Sequence, residues 1–193
     1  MPRSLYLARH GETSWNRDGR WQGHTDVALN EAGRDQARVL AEAVRGRSIE
    51  RVWASDLSRA RETAEIIAAA LGVGPIHVDA GLRERGFGCF EGLTREECEA
   101  RFPELWSRYR SNLREAPPGG ELHTEVVPRM QAALRRAVAA LGPDGAALLI
   151  SHGAAIRLVV GSITGEVPQP LGNGALFRIE TDAGNFGMVE RIV

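Results

Sequence analysis

Short apolar runs alternate with longer amphipathic segments along most of the chain. Four runs have the composition of buried strands, and they cover residues 5–8, 51–54, 76–78 and 147–150. Helical spacing of the apolar positions predicts helices over residues 30–44, 57–71 and 121–141. A closing hairpin is predicted over residues 175–180 and 187–193. This order predicts an α/β fold, a three-layer sandwich in which a mostly parallel central sheet carries helices on both faces.

Polar residues at the helix starts supply the predicted caps. Asn30 can cap the first helix, and Ser55 or Asp56 the second, because short side-chain oxygens accept hydrogen bonds from the free amides there. Gly72 follows the last apolar position of the second helix and predicts its end.

Residues 82–120 interrupt this alternation. The stretch contains several glycines, a Pro-Pro-Gly-Gly cluster at 117–120 and five of the eleven aromatic side chains, which favours a cap insertion over a pocket. Helical content over 104–115 includes Trp106 and Tyr109, which either pack on the body of the protein or face a substrate. Packing is the favoured interpretation, because large aromatic side chains usually supply core area.

Composition narrows the class of protein. A length of 193 residues with 43% hydrophobic content suffices for one domain with a substantial core, so we expect a single domain over residues 1–193. The net charge of −1 argues against a nucleic-acid partner or an anionic membrane surface. The sequence has 24 arginines and no lysine. Without lysine, a Schiff-base mechanism and a phosphate-loop lysine are excluded.

The spacing of the cysteines and the first residues of the sequence indicate the expected cellular compartment. Cys89 and Cys98 have neither metal-ligand nor redox spacing, so we expect two reduced thiols. The first residues lack the basic and apolar regions of a signal peptide, and arginine or glycine interrupts the apolar tracts well short of a membrane span. We therefore expect a cytoplasmic protein without membrane contact.

Two of the predicted strands end in a His-Gly pair, His10-Gly11 and His152-Gly153. Open α/β sheets keep their ligand sites at the carboxyl ends of strands. Histidine can act as nucleophile, acid, base or donor near neutral pH, and Arg9 is permanently charged and suited to two-point binding of phosphate or carboxylate. An isolated histidine after a strand is more often a turn donor than a catalyst, so the surrounding pattern decides.

The helix after strand 51–54 places a further cation. Arg59 falls in its first turn and should emerge at the same sheet edge as the two His-Gly pairs. A phosphoryl-transfer site needs fixed positive donors around the phosphoryl oxygens and a nucleophile in line with the leaving oxygen. Three converging strand ends therefore predict a site with the donors of phosphoryl transfer.

The segment Arg9-His10-Gly11-Glu12-Thr13, followed by Trp15-Asn16, resembles the signature of the histidine phosphatase superfamily, whose fold is that of the cofactor-dependent phosphoglycerate mutases. Four more blocks resemble the family in its order, and they comprise Gly23, Asp26, Leu29, Gly33 and Gln36-Ala37; Ser55 to Ala60 with Thr63-Ala64; Leu82-Arg83-Glu84 with Gly88 and Glu91-Gly92; and Ser151-His152-Gly153. One Arg-His-Gly alone would be a weak signal, but five ordered blocks across nearly the whole chain are specific.

The resemblance implies roles for the candidate residues. His10 becomes the nucleophile that forms a phosphohistidine, and Glu84 the proton donor and acceptor. The set implied for substrate binding is Arg9, Asn16, Gln22, Gly23, Arg59, His152 and Gly153, of which Arg9, Arg59 and His152 are also expected to be catalytic. Neither a metal ion nor a cofactor is expected. The expected partner is a small-molecule phosphate ester, and the expected state is a monomer or a homodimer.

Several positions depart from the family pattern. Phe90 stands where Trp is commoner, and Leu122 where many phosphatases have Ser, and both are expected at the pocket wall. Phosphoglycerate mutases of this fold are typically longer and carry a motif resembling Arg-x-Tyr-Gly after the acidic residue, whereas Glu84 leads into Arg-Gly-Phe-Gly at 85–88. These differences favour the compact phosphatase branch. His24, His77 and His123 have no partner pattern and are predicted to be surface or loop residues.

Three functions remain open at this point. The first is a metal-independent phosphomonoesterase of small metabolites, and the second is a phosphoglycerate mutase that needs a bisphosphoglycerate primer. The third is a catalytically silent binding protein on the same fold, which the joint presence of His10, Arg59, Glu84 and His152 makes the least favoured. The substrate is open among a sugar phosphate, a phosphoglycerate, phosphoserine and α-ribazole phosphate.

Overall fold

A six-stranded sheet forms the centre of the computed structural model, which describes residues 3–112, 115–182 and 185–193. Its strands in chain order are β1 (Arg3–Arg9), β2 (Ile49–Ala54), β3 (His77–Val78), β4 (Ala146–Ser151), β5 (Leu176–Asp182) and β6 (Asn185–Arg191). Their order across the sheet is β3-β2-β4-β1-β5-β6, with the first four parallel and the last two antiparallel to their neighbours. The mostly parallel sheet is confirmed, as is the closing hairpin, whose residues 183–184 lie outside the described ranges.

Helices cover both faces of this sheet. In chain order they are α1 (Ser14–Arg17), α2 (Glu31–Val44), α3 (Ser58–Leu71), α4 (Arg95–Arg101), α5 (Pro103–Ser111), α6 (His123–Ala139) and α7 (Gly153–Thr164). Because side chains alternate across a strand, Leu5 and Leu7 of β1 pack with α6 and α7, while Tyr6 and Ala8 pack with α2 and α3. The predicted three-layer sandwich is confirmed. None of the described helices combines the length and the apolar character needed to traverse a lipid bilayer.

The predicted caps hold for one helix and fail for another. Asn30 caps α2, and its Oδ1 accepts from Gly33 N at 2.8 Å. The prediction of Ser55 or Asp56 as the cap of α3 was wrong, because α3 begins only at Ser58. Asp26 reaches that end from a distant loop, and its Oδ1 accepts from Ser58 N at 2.8 Å and Oγ at 2.7 Å. Asp56 instead forms a salt bridge with Arg83.

The interruption over 82–120 consists of short helices and turns around an aromatic cluster. Two 3-10 turns, Ala80–Leu82 and Gly88–Phe90, precede α4 and α5. Trp106 and Tyr109 are buried against Phe90 and Trp21, which confirms that they pack. The predicted helical segment 104–115 is shorter at its end in the structure, since α5 stops at Ser111, and residues 113–114 are outside the described part of the chain.

Candidate active site

The carboxyl ends of three neighbouring parallel strands lie at one edge of the sheet. β1 pairs with β4 so that Arg9 is opposite Ser151, and β2 pairs with β4 so that Ala54 is opposite Ile150. The residues that follow β1 and β4 therefore approach each other, and the ring centroids of His10 and His152 are 5.0 Å apart.

A cavity of about 270 Å³ opens at this edge. The predicted site residues that line it are Arg9, His10, Asn16, Gln22, Gly23, Arg59, Glu84 and Gly153. His152 was also predicted for the site, and it is fully buried beside His10 without lining the cavity. The structure thus brings all the predicted site residues together.

His10 is held as a neutral ring. Its Nδ1 lies 2.6 Å from Gly11 O, and a carbonyl only accepts, so Nδ1 carries the proton and Nε2 keeps a lone pair. The ring is 3% exposed. Burial, and then the positive charges of Arg59 and Arg9, hold the pKa of His10 well below its usual range.

The loop that carries His10 leaves no room for a side chain at two glycines. A Cβ on Gly11 would lie 2.2 Å from Gly33 O, and a Cβ on Gly33 would lie 2.1 Å from Glu12 O. Gly11 N also donates to Thr63 Oγ1 of α3 at 3.1 Å. Backbone contact with α2 and a hydrogen bond to α3 therefore fix the residue after the nucleophile candidate.

Arg59 connects the loop before α2 to the second histidine. Its Nη1 and Nη2 donate to Thr25 O at 2.9 Å and Gly23 O at 2.8 Å, and its Nε donates to His152 Nδ1 at 3.3 Å. Burial lowers the pKa of Arg59 to about 10, so it stays positive at neutral pH. The acceptor role of Nδ1 leaves the His152 proton on Nε2, a buried atom with no partner among the described residues. Burial and Arg59 also lower the pKa of His152.

Arg9 presents a second donor without a partner. One terminal nitrogen donates to Leu171 O, while Nε is buried and makes no hydrogen bond within the described ranges. Burial lowers the pKa of Arg9, and the Glu84 carboxylate opposes that shift. Gly153 lies against this side chain, because a Cβ there would be 3.4 Å from Arg9 Nε.

The side-chain carboxylate of Glu84 lies at the amino end of α7. Its Oε2 accepts from Ala154 N at 3.1 Å, and its Oε1 accepts from Ala155 N at 2.9 Å and from Arg85 N at 2.8 Å. These amides include free donors at the positive end of the helix, where a carboxylate is favoured. The carboxylate therefore has a fixed place on the cavity wall.

Asn16 and Gln22 supply polar groups from the segment after β1. Asn16 Oδ1 accepts from Thr13 and from Asn173 Nδ2 at 3.2 Å, which leaves its own Nδ2 donors for a ligand. Gln22 is 7% exposed, and its Oε1 has no partner in the described part of the structure. Gly23 has a φ of +51°, and a Cβ there would lie 2.0 Å from Glu91 Oε1, so glycine is required.

Comparison with known proteins assigns the family. A model of the histidine phosphatase superfamily (branch 1) matches residues 5–191. The chain belongs to the histidine phosphatase superfamily. A probable phosphoglycerate mutase of Photorhabdus laumondii is 40% identical over 171 residues, which cover 83% of this chain and 74% of the relative.

Solved structures of similar proteins include phosphatases. A mycobacterial glucosyl-3-phosphoglycerate phosphatase, solved with VO3, is 31% identical, with a TM-score of 0.83 and 92% of each chain covered. A protein called mycobacterial hydrolase 1 is 29% identical, with a TM-score of 0.87 and 100% of this chain and 98% of the other covered.

Two expectations about the pocket wall were wrong. Phe90 is fully buried in the aromatic cluster, with its ring centroid 5.6 Å from that of Trp106, and it does not line the cavity. Leu122 is 42% exposed just before α6 and does not line it either. The departures from the family at these positions therefore change the packing and the surface, not the cavity.

The three remaining histidines were predicted to be surface or loop residues, and the structure gives each a more specific place. His24 is exposed, as expected, but its Nε2 donates to Glu84 O at 2.8 Å. His77 belongs to β3 and stacks on Trp53 with ring centroids 4.9 Å apart, and His123 is the first residue of α6. The partners of His24 and His77 are distant in the chain, so no local sequence pattern could identify them.

Sequence reasoning missed several residues that line the cavity. They are Trp15, Gly19, Arg20, Trp21, Phe87, Arg95, Ala154, Arg157, Pro170 and Leu171. Arg157 follows Gly153 by four residues, so the helical period could have identified it. Arg20 and Phe87 come from irregular segments, where no periodic pattern marks them. Within the described ranges, no three His, Cys, Asp or Glu side chains converge as metal ligands.

Proposed function

We propose that this member of the histidine phosphatase superfamily is a metal-independent hydrolase of small-metabolite phosphomonoesters that works through a phosphohistidine on His10. The observation that carries the proposal is the state of the His10 ring. Nδ1 is bonded to Gly11 O at 2.6 Å, and burial and two arginines favour the neutral form. A neutral imidazole with its lone pair on Nε2 is the form that attack on phosphorus requires.

Charge on the phosphoryl group would be stabilised by donors that have no partner within the described chain. Arg9 Nε and His152 Nε2 are both buried and unpaired there. Arg59 adds a positive charge beside His152, and Asn16 adds its Nδ2 donors. Preorganised donors of this kind stabilise a transition state without reorganisation during the reaction. This supply of positive charge supports a reaction without a divalent cation.

The proposed reaction has two displacements. In the first, His10 Nε2 bonds to phosphorus, the bond from phosphorus to the ester oxygen breaks, and Glu84 gives its proton to the leaving oxygen. In the second, water bonds to phosphorus, the bond to Nε2 breaks, and Glu84 takes a proton from that water. The products are an alcohol and inorganic phosphate, and both side chains return to their starting states.

Three backbone amides place Glu84 for this role. Its carboxylate oxygens accept hydrogen bonds from Ala154 N at 3.1 Å, from Ala155 N at 2.9 Å and from Arg85 N at 2.8 Å. These bonds hold the carboxylate at the wall of the cavity, where it would meet the leaving oxygen of a bound ester.

Mutase activity is the second candidate, because a relative with 40% identity is named a probable phosphoglycerate mutase. A mutase must protect its phosphohistidine from water, whereas a phosphatase must admit water. Two observations favour hydrolysis. The chain is 31% identical to a mycobacterial glucosyl-3-phosphoglycerate phosphatase, and Glu84 is followed by Arg-Gly-Phe-Gly at 85–88 in place of a motif resembling Arg-x-Tyr-Gly.

One assay separates the two candidates. We expect 3-phosphoglycerate with bisphosphoglycerate, incubated in a chelator, to yield more inorganic phosphate than 2-phosphoglycerate. A panel of sugar phosphates, phosphoserine and α-ribazole phosphate under the same conditions ranks the substrates. A larger yield of 2-phosphoglycerate would assign the protein to the mutases, and activity that disappears in chelator and returns with magnesium would contradict the metal-independent reaction.

A further inference from the structure

A single arginine of α6 fixes the irregular segment that carries Glu84. Arg129 Nη1 donates to Gly81 O at 3.0 Å and to Arg83 O at 2.7 Å, and its Nη2 donates to Glu84 O at 2.9 Å. The remaining donors go to Glu121, with Nε to Oε1 at 2.6 Å and Nη2 to Oε2 at 2.7 Å. All five N–H groups of a guanidinium are thereby used.

The segment needs such support because it lacks a regular ladder. After the 3-10 turn Ala80–Leu82, residues 83–86 belong to neither a helix nor a strand. Backbone carbonyls in such a stretch need partners from elsewhere in the fold. Arg129 supplies these partners to three carbonyls within four residues, and a planar fork of donors restricts their relative positions.

Glu121 extends the same network on the other side of Glu84. Its Oε2 accepts from Gly86 N at 3.1 Å, and its bonds to Arg129 orient the guanidinium. Burial alone would raise the pKa of Glu121, but Arg129 and Gly86 hold it below its usual value, so the pair stays ionised. His24 adds one bond to Glu84 O at 2.8 Å.

We propose that Arg129 is a positioning residue for proton transfer by Glu84, acting through the backbone of residues 81–84. Arg129 is not one of the residues that line the cavity, and its effect passes through its bonds to the backbone that positions the Glu84 carboxylate. This role rests on the proposed function, in which Glu84 protonates the leaving oxygen. An error of about 1 Å in the position of a catalytic group can cost about 100-fold in rate.

The test measures the phosphorylation burst with two esters. An alkyl leaving group needs the proton from Glu84, whereas nitrophenolate leaves without it. Arg129→Lys keeps the charge but loses the fork, so we expect the burst rate to fall about 10- to 100-fold with an alkyl ester and much less with a nitrophenyl ester. In a Glu84→Gln background, Arg129→Lys should cause little further loss, because the two changes remove the same step.

Arg136→Lys is the matched control. Arg136 lies on the same helix and makes the same two-point ion pair, with Asp79 at 2.8 and 2.9 Å, but it makes no hydrogen bond to residues 83–84. Its burst rates should match those of the unaltered protein with both esters. A thermal melt of each variant establishes that it is folded, and if Arg129→Lys does not fold, Glu121→Gln carries the same measurement.

The outcomes separate this role from the proposed function. Equal slowing of both esters by folded Arg129→Lys, or a loss that adds in full to that of Glu84→Gln, would overturn the positioning role alone. If Glu84→Gln itself slowed both esters equally, the acid role of Glu84 would be wrong, and the positioning role would be overturned with it.

Discussion

The chemistry of the site depends on which nitrogen of each histidine carries the proton. The sequence predicts His10 and His152 at strand ends, and Arg59 in the first turn of a helix, from elementary periodicity. It does not predict the tautomers, because these depend on Gly11 O for one ring and on Arg59 Nε for the other. Glu84 was assigned only by the family resemblance, since an isolated carboxylate in an irregular segment has no signal of its own.

The two buried histidines should make the folded state less stable in acid. Burial and nearby arginines hold both folded-state pKa values well below 6.5. The unfolded chain titrates near 6.5, so below that pH it binds protons that the folded state does not, and the free energy of unfolding falls. Between about pH 7.5 and pH 5.5 we expect the free energy of unfolding to fall by about 1 kcal/mol for each ring, measured by urea unfolding. His10→Gln should remove the contribution of one ring to this pH-dependent loss of stability. An unchanged pH dependence in that variant would contradict the neutral His10 ring.

At the scale of elements, local signals predicted the cores of helices and strands better than their ends. Asn30 caps α2 because its partner amide is three residues away, whereas α3 is capped by Asp26 across a gap of 32 residues. No reading of neighbouring residues would identify that cap. The aromatic residues of 82–120 were recognised as packing. The network of Arg129 and Glu121 around Glu84 was not foreseen, because it depends on partners up to 48 residues apart in the chain.

The contact between the loop after β1 and helix α2 should be essential for the site. Gly33→Ala would place a Cβ 2.1 Å from Glu12 O, so the loop that carries His10 must move. We expect a loss of about 1–3 kcal/mol in the free energy of unfolding, together with reduced turnover. Gly187→Ala in β6 is the control, because a Cβ there would be 3.5 Å from Glu180 O, an ordinary contact. Equal stability and turnover in Gly33→Ala and the unaltered protein would show that the loop is not held by this contact.

At the scale of the whole molecule, the fold places the site through the strand order. β1, β4 and β2 are adjacent although they are far apart in the chain, and this adjacency brings their carboxyl ends to one edge. Alternation of strands and helices predicted the parallel sheet and its two covered faces, while the exact order required the structure. The cavity walls could not be predicted, because residues such as Arg20, Phe87 and Leu171 meet only after the chain has folded.

The measurement that tests the phosphohistidine mechanism most directly is trapping of the covalent intermediate. Brief incubation with a labelled phosphate ester and quenching under conditions that preserve an acid-labile bond should place one phosphoryl group per chain on His10, located by peptide mass. His10→Ala should abolish both the label and turnover. Label on another residue, or substantial turnover of the same ester by His10→Ala, would contradict the account.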